Sequence, residues 1–513
     1  MKLKITSLNW ALKHVLKEGD TDLFPQPFEF SIIKKQWSHI GPVLGRIEIN
    51  DHSWKGTRRL MVPKSELGFR AVSQLDPLDA ILFAATIREI GSKIEKKRLP
   101  YSDGIVFSYR FEPSPSGRLF STNTGWEEFW KASSKLCDSH DWVLVTDISD
   151  WYNQIYHHTL QNQLQMAGVK KPYWHALNNL LANASEGVSR GVPIGPHPAH
   201  VLAELAMIPV DQFLVSTGAK FCRYVDDIHI FCQSEKDAHS ILYKLVDYLD
   251  RTQKIQLNRR KTKIFASEKF KSHADSNTID KPINDLEEKM LKAVRLHTKS
   301  PYEKISLSLF TESDLSTLSK YNIETVLSQY LQAEDVDYIR LRWFIRRLAQ
   351  VGVSGGIEYI VKNFSDFMPA MSEVGKYFES STKNYSGSWK NIGDDLIKVY
   401  ESDVVQASEY LRLIVLSLFS RIKDLNHSNK LTSMYQMASD MCQRKIVLAA
   451  ATAKANAWLS TLKSEYKNAD PWKRRALLYS MRVLPKDEKE FWLKSVRKRV
   501  DGLDKLITDS ISN

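Results

Sequence analysis

One decapeptide constrains this 513-residue chain more than any other stretch: Arg223-Tyr224-Val225-Asp226-Asp227-Ile228-His229-Ile230-Phe231-Cys232. Two adjacent carboxylates stand between two short apolar runs, 219 to 225 and 228 to 232, which predicts a β-hairpin with the Asp pair at its tip. Like charges side by side on a tight turn cost energy unless a cation neutralises them. A divalent metal does so while carrying phosphates and activating an attacking oxygen. An acidic turn facing solvent has the same local pattern, so the hairpin by itself leaves both readings open.

A second acidic position narrows the choice. Trp142-Val143-Leu144-Val145-Thr146-Asp147 is an apolar run ending in an Asp, as expected of a buried central strand with a carboxylate at its exit. It continues Ile148-Ser149-Asp150-Trp151-Tyr152-Asn153, where Ser149 or Asp150 is placed to cap a helix. Asp147 and Asp226 lie 79 residues apart in the chain, yet they meet if their strands are neighbours in one sheet. Three carboxylates about one point build a two-metal site, whose ions lie roughly 3.5–4 Å apart in phosphoryl-transfer enzymes.

With both acidic stretches in place, five motifs in order resemble the reverse transcriptases. Tyr224-Val225-Asp226-Asp227 resembles their motif C. Asp147-Ile148-Ser149-Asp150-Trp151-Tyr152 resembles motif A, an Asp followed five places later by an aromatic. Gly191-Val192-Pro193-Ile194-Gly195 resembles motif B, and Leu257-Asn258-Arg259-Arg260-Lys261-Thr262 the lysine-bearing motif D. Val62-Pro63-Lys64 and Gly68-Phe69-Arg70 resemble the fingers hairpin that grips the triphosphate.

The resemblance, covering roughly residues 50 to 270, implies roles. Asp147, Asp226 and Asp227 are the catalytic carboxylates and ligands of magnesium (manganese as a substitute), with the carbonyl of Ile148 assisting. Lys64 and Arg70 pair with the triphosphate, Arg70 in bidentate fashion. Asp150 lies near the triphosphate or only caps its helix. Tyr152 is the wall under the sugar that leaves no room for a 2′-hydroxyl. Gly195 permits a backbone turn against the nucleotide, with Pro196 opening the next helix. Lys261 protonates or neutralises the departing pyrophosphate, or joins its basic neighbours on a nucleic-acid backbone. Motif B departs from templated enzymes in carrying Ile194 where a polar residue is frequent, and Ala199 where a small hydroxyl residue is.

Net charge is +12, which points to a polyanionic partner. The segment 251–263 holds six basic residues and no acidic one. The segment 471–500 holds ten basic against three acidic, with Trp472, Tyr479, Phe491 and Trp492 interleaved; an amphipathic helix with its aromatic side buried explains that mixture as well as base stacking does. Cys137, Cys222, Cys232 and Cys442 show neither metal-ligand spacing nor a disulfide framework, as in a reducing cytosol, and the two beside the hairpin read as small packing residues. His157-His158, adjacent on a helix, supplies no chelate. No run of about twenty apolar residues and no signal-peptide core is found, so a cytoplasmic protein without membrane association is expected.

The expected fold class is α/β plus all-α: an N-terminal region with fingers over 1–140, a palm over 141–275, and helices over 285–513. Basic loops are expected at 55–59 and 96–98, and a polar break spans 271 to 284. Beyond it, apolar residues recur at helical spacing, as in Ile323-Val326-Leu327-Tyr330 and Tyr410-Leu411-Ile414-Val415-Leu418. Strand signals are nearly absent. No fixed period can be counted, so irregular solenoid repeats and a plain bundle both remain open.

A polymerase domain followed by helices in the thumb's place resembles the abortive-infection reverse transcriptases of bacteria and prophages, and Phe107-Ser108-Tyr109-Arg110-Phe111 resembles that group too. The resemblance implies antiviral defence, homo-oligomers, HEAT-like repeats, and untemplated synthesis from deoxynucleoside triphosphates. The single-stranded DNA product would be attached to a protein hydroxyl; Tyr101, Tyr109, Tyr302, Tyr330 and Tyr385 are among the candidates. Two competing readings are an RNA-templated reverse transcriptase copying a bound small RNA and a non-catalytic nucleic-acid-binding scaffold.

Overall fold

The computed structural model describes residues 1–121, 125–276, 282–298 and 304–512. They fall into two compact units: Met1–Asp22, Gln36–Arg59 and Val72–Lys281 form the first, and Leu23–Lys35, Leu60–Ala71 and Pro282–Asn513 the second. This division differs from the expected 1–140, 141–275 and 285–513. The region before 140 shares one core with the sheet that follows, and two short N-terminal segments belong with the C-terminal helices. Tyr302 and part of the polar break lie outside the described residues.

Strands β1 (Arg58–Pro63) and β2 (Phe69–Gln74) make a two-stranded sheet, of which Leu60–Ala71 is counted with the second unit. In the first unit, a four-stranded antiparallel sheet contains β3 (Trp142–Asp147), β4 (Lys220–Tyr224), β5 (Asp227–Cys232) and β6 (Lys263–Ala266), in the order β4-β5-β3-β6. The apolar run of β3 takes an inner position because both of its edges are paired. Its register sets Val143 opposite Phe231 and Asp147 opposite Asp227. On one face, Val143, Cys222 and Phe231 pack with Phe129, Trp130, Cys137 and Phe270, so helix Gly125–Leu136 closes the core of the strands that follow it. All four cysteines are buried thiols, and Cys222, beside the hairpin, packs in this core. The expected basic loop at 96–98 is not a surface feature throughout, because Arg98 is buried and paired. Helix Ala199–Ser216 is long and apolar enough to cross a membrane; here it is a mostly buried core helix whose Glu204 and Asp211 pair with arginines.

Among its described residues, Pro282–Asn513 contains helices and no strand. The late helices show a regularity that the apolar pattern concealed. Glu409–Arg421, Asp440–Thr452, Pro471–Ser480 and Gly502–Ser510 begin at steps of 31 residues, and each packs on the next. Ser408, Ser439, Asp470 and Asp501 occupy their N-cap positions, and the first three accept a backbone N–H there. Polar rungs join equivalent turns, as in Lys473 to Asp440 (3.4 Å) and Arg474 to Asp504 (2.5 Å). The basic, aromatic segment after 471 follows the packing alternative in part: Trp472 and Trp492 are buried, whereas Phe491 is exposed.

The segment Leu23–Lys35 is held in this unit by charge. Glu29 is fully buried, 2.8 Å from Arg444 and 3.7 Å from Arg475. Burial alone would raise its carboxyl; the two guanidinium groups outweigh that and hold it below the ordinary value of 4.5. A carboxyl lowered in the fold contributes its full stability above that ordinary value and loses it as pH falls through the folded one. Glu29→Ala leaves two buried cations uncompensated and is expected to cost about 3–5 kcal/mol. Urea denaturation at neutral pH checks this; a loss below about 1 kcal/mol, the scale of an exposed pair, would contradict it.

Candidate active site

A strained turn holds the two adjacent carboxylates. Tyr224 pairs with Asp227 across the β4–β5 hairpin, leaving Val225 and Asp226 as its two-residue loop. Val225 takes φ +57°, a left-handed conformation that costs a β-branched residue of the order of 1–3 kcal/mol. Its backbone is gripped at both ends: its N–H donates to Ser108 Oγ (2.9 Å), and its carbonyl accepts from Arg223 Nη1 (2.7 Å). Ser108 donates in turn to Glu204 (2.5 Å), which faces Arg98 (2.7 Å) and Arg223 (3.1 Å). Arg223, with no exposed surface, makes a two-pronged pair with Asp211, both bonds 2.6 Å. The turn therefore stands on a buried network of two carboxylates and two guanidinium groups.

Sequence reasoning quoted Ser108 and Arg223 only within motifs and missed Arg98, Glu204 and Asp211. The signal was present: two acids in the otherwise apolar stretch 199–216 require buried cations.

The strand end brings Asp147 to this turn. Ile148 N–H donates to the Asp226 carbonyl (3.3 Å), and Asp147 stands opposite Asp227 in register. Lys261 Nζ lies 3.0 Å from Asp147 Oδ1. Asn258, quoted in motif D but given no role, donates its side-chain amide to Asp147 Oδ2 (3.3 Å) and its backbone N–H to the Asp147 carbonyl (2.7 Å). Burial, then the neighbouring Asp147 and Asp227, push the Asp226 carboxyl from 3.8 up to about 7. Burial would lower Lys261, but Asp227 and Asp147 outweigh it and raise the ammonium above its usual value. Three carboxylates are thus gathered about one ammonium. Among the described residues, no three His, Cys, Asp or Glu side chains already converge as a finished ligand set.

Burial, then the neighbouring Tyr109 and Asp226, raises the Tyr152 hydroxyl well above its usual value. That hydroxyl shares a hydrogen bond with His200 Nδ1 (2.5 Å), and His200 stacks on Tyr109 at 3.9 Å and 4°. Burial first, then His197, lowers His200 to about 3, so the ring is neutral, with one nitrogen to donate and one to accept. The tyrosine ring is fixed from its far end.

Other expected positions fall differently. Asp150 is exposed and left-handed at φ 51°; it makes no side-chain cap and instead accepts from Asn153 Nδ2 (2.8 Å). Gly195, at φ +124°, is needed for packing against its own chain, since a Cβ there would lie 2.6 Å from Thr21 Oγ1 and 2.9 Å from the Ser73 carbonyl. The helix after motif B begins at Ala199, with Pro198 rather than Pro196 at its cap. His157 is buried, bonded to the Gly191 carbonyl (2.8 Å), and His158 is exposed. Lys64 and Arg70, on the β1–β2 tip, belong to the second unit.

Residues 81–297 match the family described as reverse transcriptase (RNA-dependent DNA polymerase). The chain carries a reverse-transcriptase domain over that span, which makes it a nucleotidyltransferase of the RNA-directed DNA polymerase type. Among solved structures, apo telomerase from Candida tropicalis aligns at 11% identity, covering 78% of this chain and 69% of that one with a TM-score of 0.33. Telomerase from Candida albicans in complex with a fragment of telomeric RNA aligns at 11% identity, covering 74% and 71%, with a TM-score of 0.32. Overlaps this slight carry no argument about function. No curated protein matches the chain.

The raised Asp226 carboxyl gives a paired prediction. Such a group stabilises the fold below its ordinary value of 3.8 and loses that contribution as pH rises through about 7. Asp226→Asn is expected to abolish nucleotide incorporation and, in chelator, to unfold at higher temperature than the parent above pH 7. Continued incorporation would remove Asp226 from the chemistry; a lower melting temperature above pH 7 would contradict the crowding.

Proposed function

We propose that this chain is a magnesium-dependent DNA polymerase acting in anti-phage defence by abortive infection, which builds single-stranded DNA without a template on one of its own hydroxyl groups. The observation that carries the polymerase reading is the register of β3 on β5, with Asp147 opposite Asp227 and Asp226 on the adjoining turn. Asp147, Asp226 and Asp227, with the Ile148 carbonyl, are the residues that would hold magnesium, or manganese in its place. Oxygen donors suit such hard cations, and the fit rests on the crowding that raises Asp226. Bound there, the metal would neutralise phosphate charge and make the attacking hydroxyl a better nucleophile.

The chain's own groups supply the rest. Lys261 holds Asp147 and is placed to neutralise pyrophosphate as it departs. Tyr152, pinned by His200, is the wall under the sugar. Lys64 and Arg70 grip the triphosphate, and Asp150 and Gly195 flank the nucleotide.

Untemplated, protein-primed synthesis is favoured by Ile194 and Ala199 in motif B and by the resemblance to the abortive-infection enzymes. The same resemblance supports a homo-oligomer, and the 31-residue step supports HEAT-like repeats. Four cysteines held as thiols suit the cytoplasm. The family description favours a second reading, RNA-templated copying.

One assay separates them: magnesium and labelled deoxynucleotides without added nucleic acid, then denaturing electrophoresis before and after protease. Label retained by the protein until proteolysis is the expected result. Label that appears only with primer and template would establish the second reading. With Tyr152→Ala, labelled ribonucleotides are expected to enter as well; an unchanged preference would reduce Tyr152 to packing.

A further inference from the structure

The basic, aromatic stretch after 471 lines a cavity of about 260 Å³ that lies wholly within the second unit. Its walls come from helices Glu409–Arg421, Asp440–Thr452 and Pro471–Ser480, the turn after the last of them, and residues 26 to 28 of the segment Leu23–Lys35. Arg421, Arg444, Lys445 and Arg482 line it, and among the described residues no Asp or Glu does.

Phe28 and Tyr479 stack in the wall, with ring centroids 4.3 Å apart at 13°. Each ring also carries a guanidinium: Arg482 lies 3.9 Å from the Tyr479 centroid and Arg444 5.0 Å from that of Phe28. Such contacts fix the cations but bring no net negative charge. Carboxylates reach two of the cations from behind the wall. Arg421 pairs with Glu379, and Glu29 is shared between Arg444 and Arg475. Arg482 forms no ion pair among the described residues; its Nη1 donates to the Tyr479 carbonyl (3.1 Å). Burial lowers its guanidinium, opposed by the Tyr479 hydroxyl alone.

The helix ends at this cavity also carry partial negative charge. Part of it is already met, because Thr452 Oγ1 donates to the Ser420 carbonyl (2.8 Å) as Arg482 does to that of Tyr479. Four cations thus converge where solvent screening is reduced. A multiply charged anion relieves their repulsion, and guanidinium forks match phosphate oxygens in geometry. The volume falls below the roughly 300–1,000 Å³ of pockets that enclose a drug-sized ligand. The rings are engaged with each other and with guanidinium groups, so the cavity offers charge rather than a stacking platform.

We propose that this cavity binds a compact phosphate anion of at least two charges, supplied as pyrophosphate or as the phosphate of a nucleoside monophosphate. The site is independent of the polymerase reading. The anion would join helices of three successive 31-residue steps to the segment Leu23–Lys35, whose Gln26 carbonyl already accepts from Arg421 Nη2 (2.8 Å). An extended nucleic-acid backbone suits it less, since that needs charges spread along its length.

Calorimetric titration of the full chain with pyrophosphate and with deoxyadenosine monophosphate tests this. A chelator is present throughout, which removes metal-dependent binding at the Asp147, Asp226 and Asp227 carboxylates. Both probes are expected to bind and to raise the melting temperature, as any ligand of the folded state does. Arg482→Gln, at a position without an ion pair, should melt like the parent in the absence of phosphate. Losing its charge-assisted contact should weaken both probes about 10- to 100-fold. Lys445→Gln should also weaken them, and Arg482→Lys should fall between parent and Gln variant. Equal affinities would show that the phosphate alone is recognised, and a tighter monophosphate would add nucleoside contacts to the same site. Failure of the parent to bind either probe would overturn the proposal. So would unaltered affinity in both Gln variants, or an unphosphorylated deoxyoligonucleotide binding where the two probes do not.

Discussion

The position of the catalytic carboxylates depends on a turn that the local sequence does not favour. Valine at positive φ is unfavourable by itself, and the hairpin keeps it because Ser108 and Arg223 hold the N–H and C=O of that one residue. Both gripping groups are fixed by buried acids, Glu204 and Asp211, from the single helix Ala199–Ser216. Replacing such a network by apolar packing can leave stability intact. What the charges add is a defined direction for Asp226, a requirement where a displacement of about 1 Å costs about 100-fold in rate.

The opposite electrostatic tendency operates a few residues away. Asp147, Asp226 and Asp227 are gathered with one nearby ammonium from Lys261, so the carboxyl at the tip is driven up to about 7. In the network beneath, each guanidinium meets carboxylates, Arg98 reaching Glu95 as well as Glu204, whereas the cluster above it is short of positive charge and open to a cation.

Much of the four-stranded sheet was legible because its signals are local. The run 142–147 reads as an inner strand, and the acidic pair reads as a hairpin tip; both are strand geometry written in adjacent residues. The supports were not legible to the same degree, since Ser108 and Val225 are 117 residues apart and only the fold makes them partners. Glu29 gave no sign that it would join Arg444, 415 residues away. The 31-residue step escaped notice because its markers are caps, Ser408, Ser439, Asp470 and Asp501, rather than apolar positions. The packing role of Gly195 was not legible either, since its missing Cβ makes room for Thr21 and Ser73, both far off in the chain.

The central claim is that backbone strain at Val225, held by Ser108, sets the chemistry of the site. A double-mutant cycle in nucleotide incorporation tests it most directly. Ser108→Ala leaves the Val225 N–H without its acceptor, a loss of about 1–3 kcal/mol, and activity is expected to fall about 10- to 100-fold. Glycine adopts positive φ freely, so Val225→Gly in the same background should recover much of that loss. Full activity in Ser108→Ala, or a loss that Val225→Gly leaves untouched in a protein that melts normally, would contradict the account.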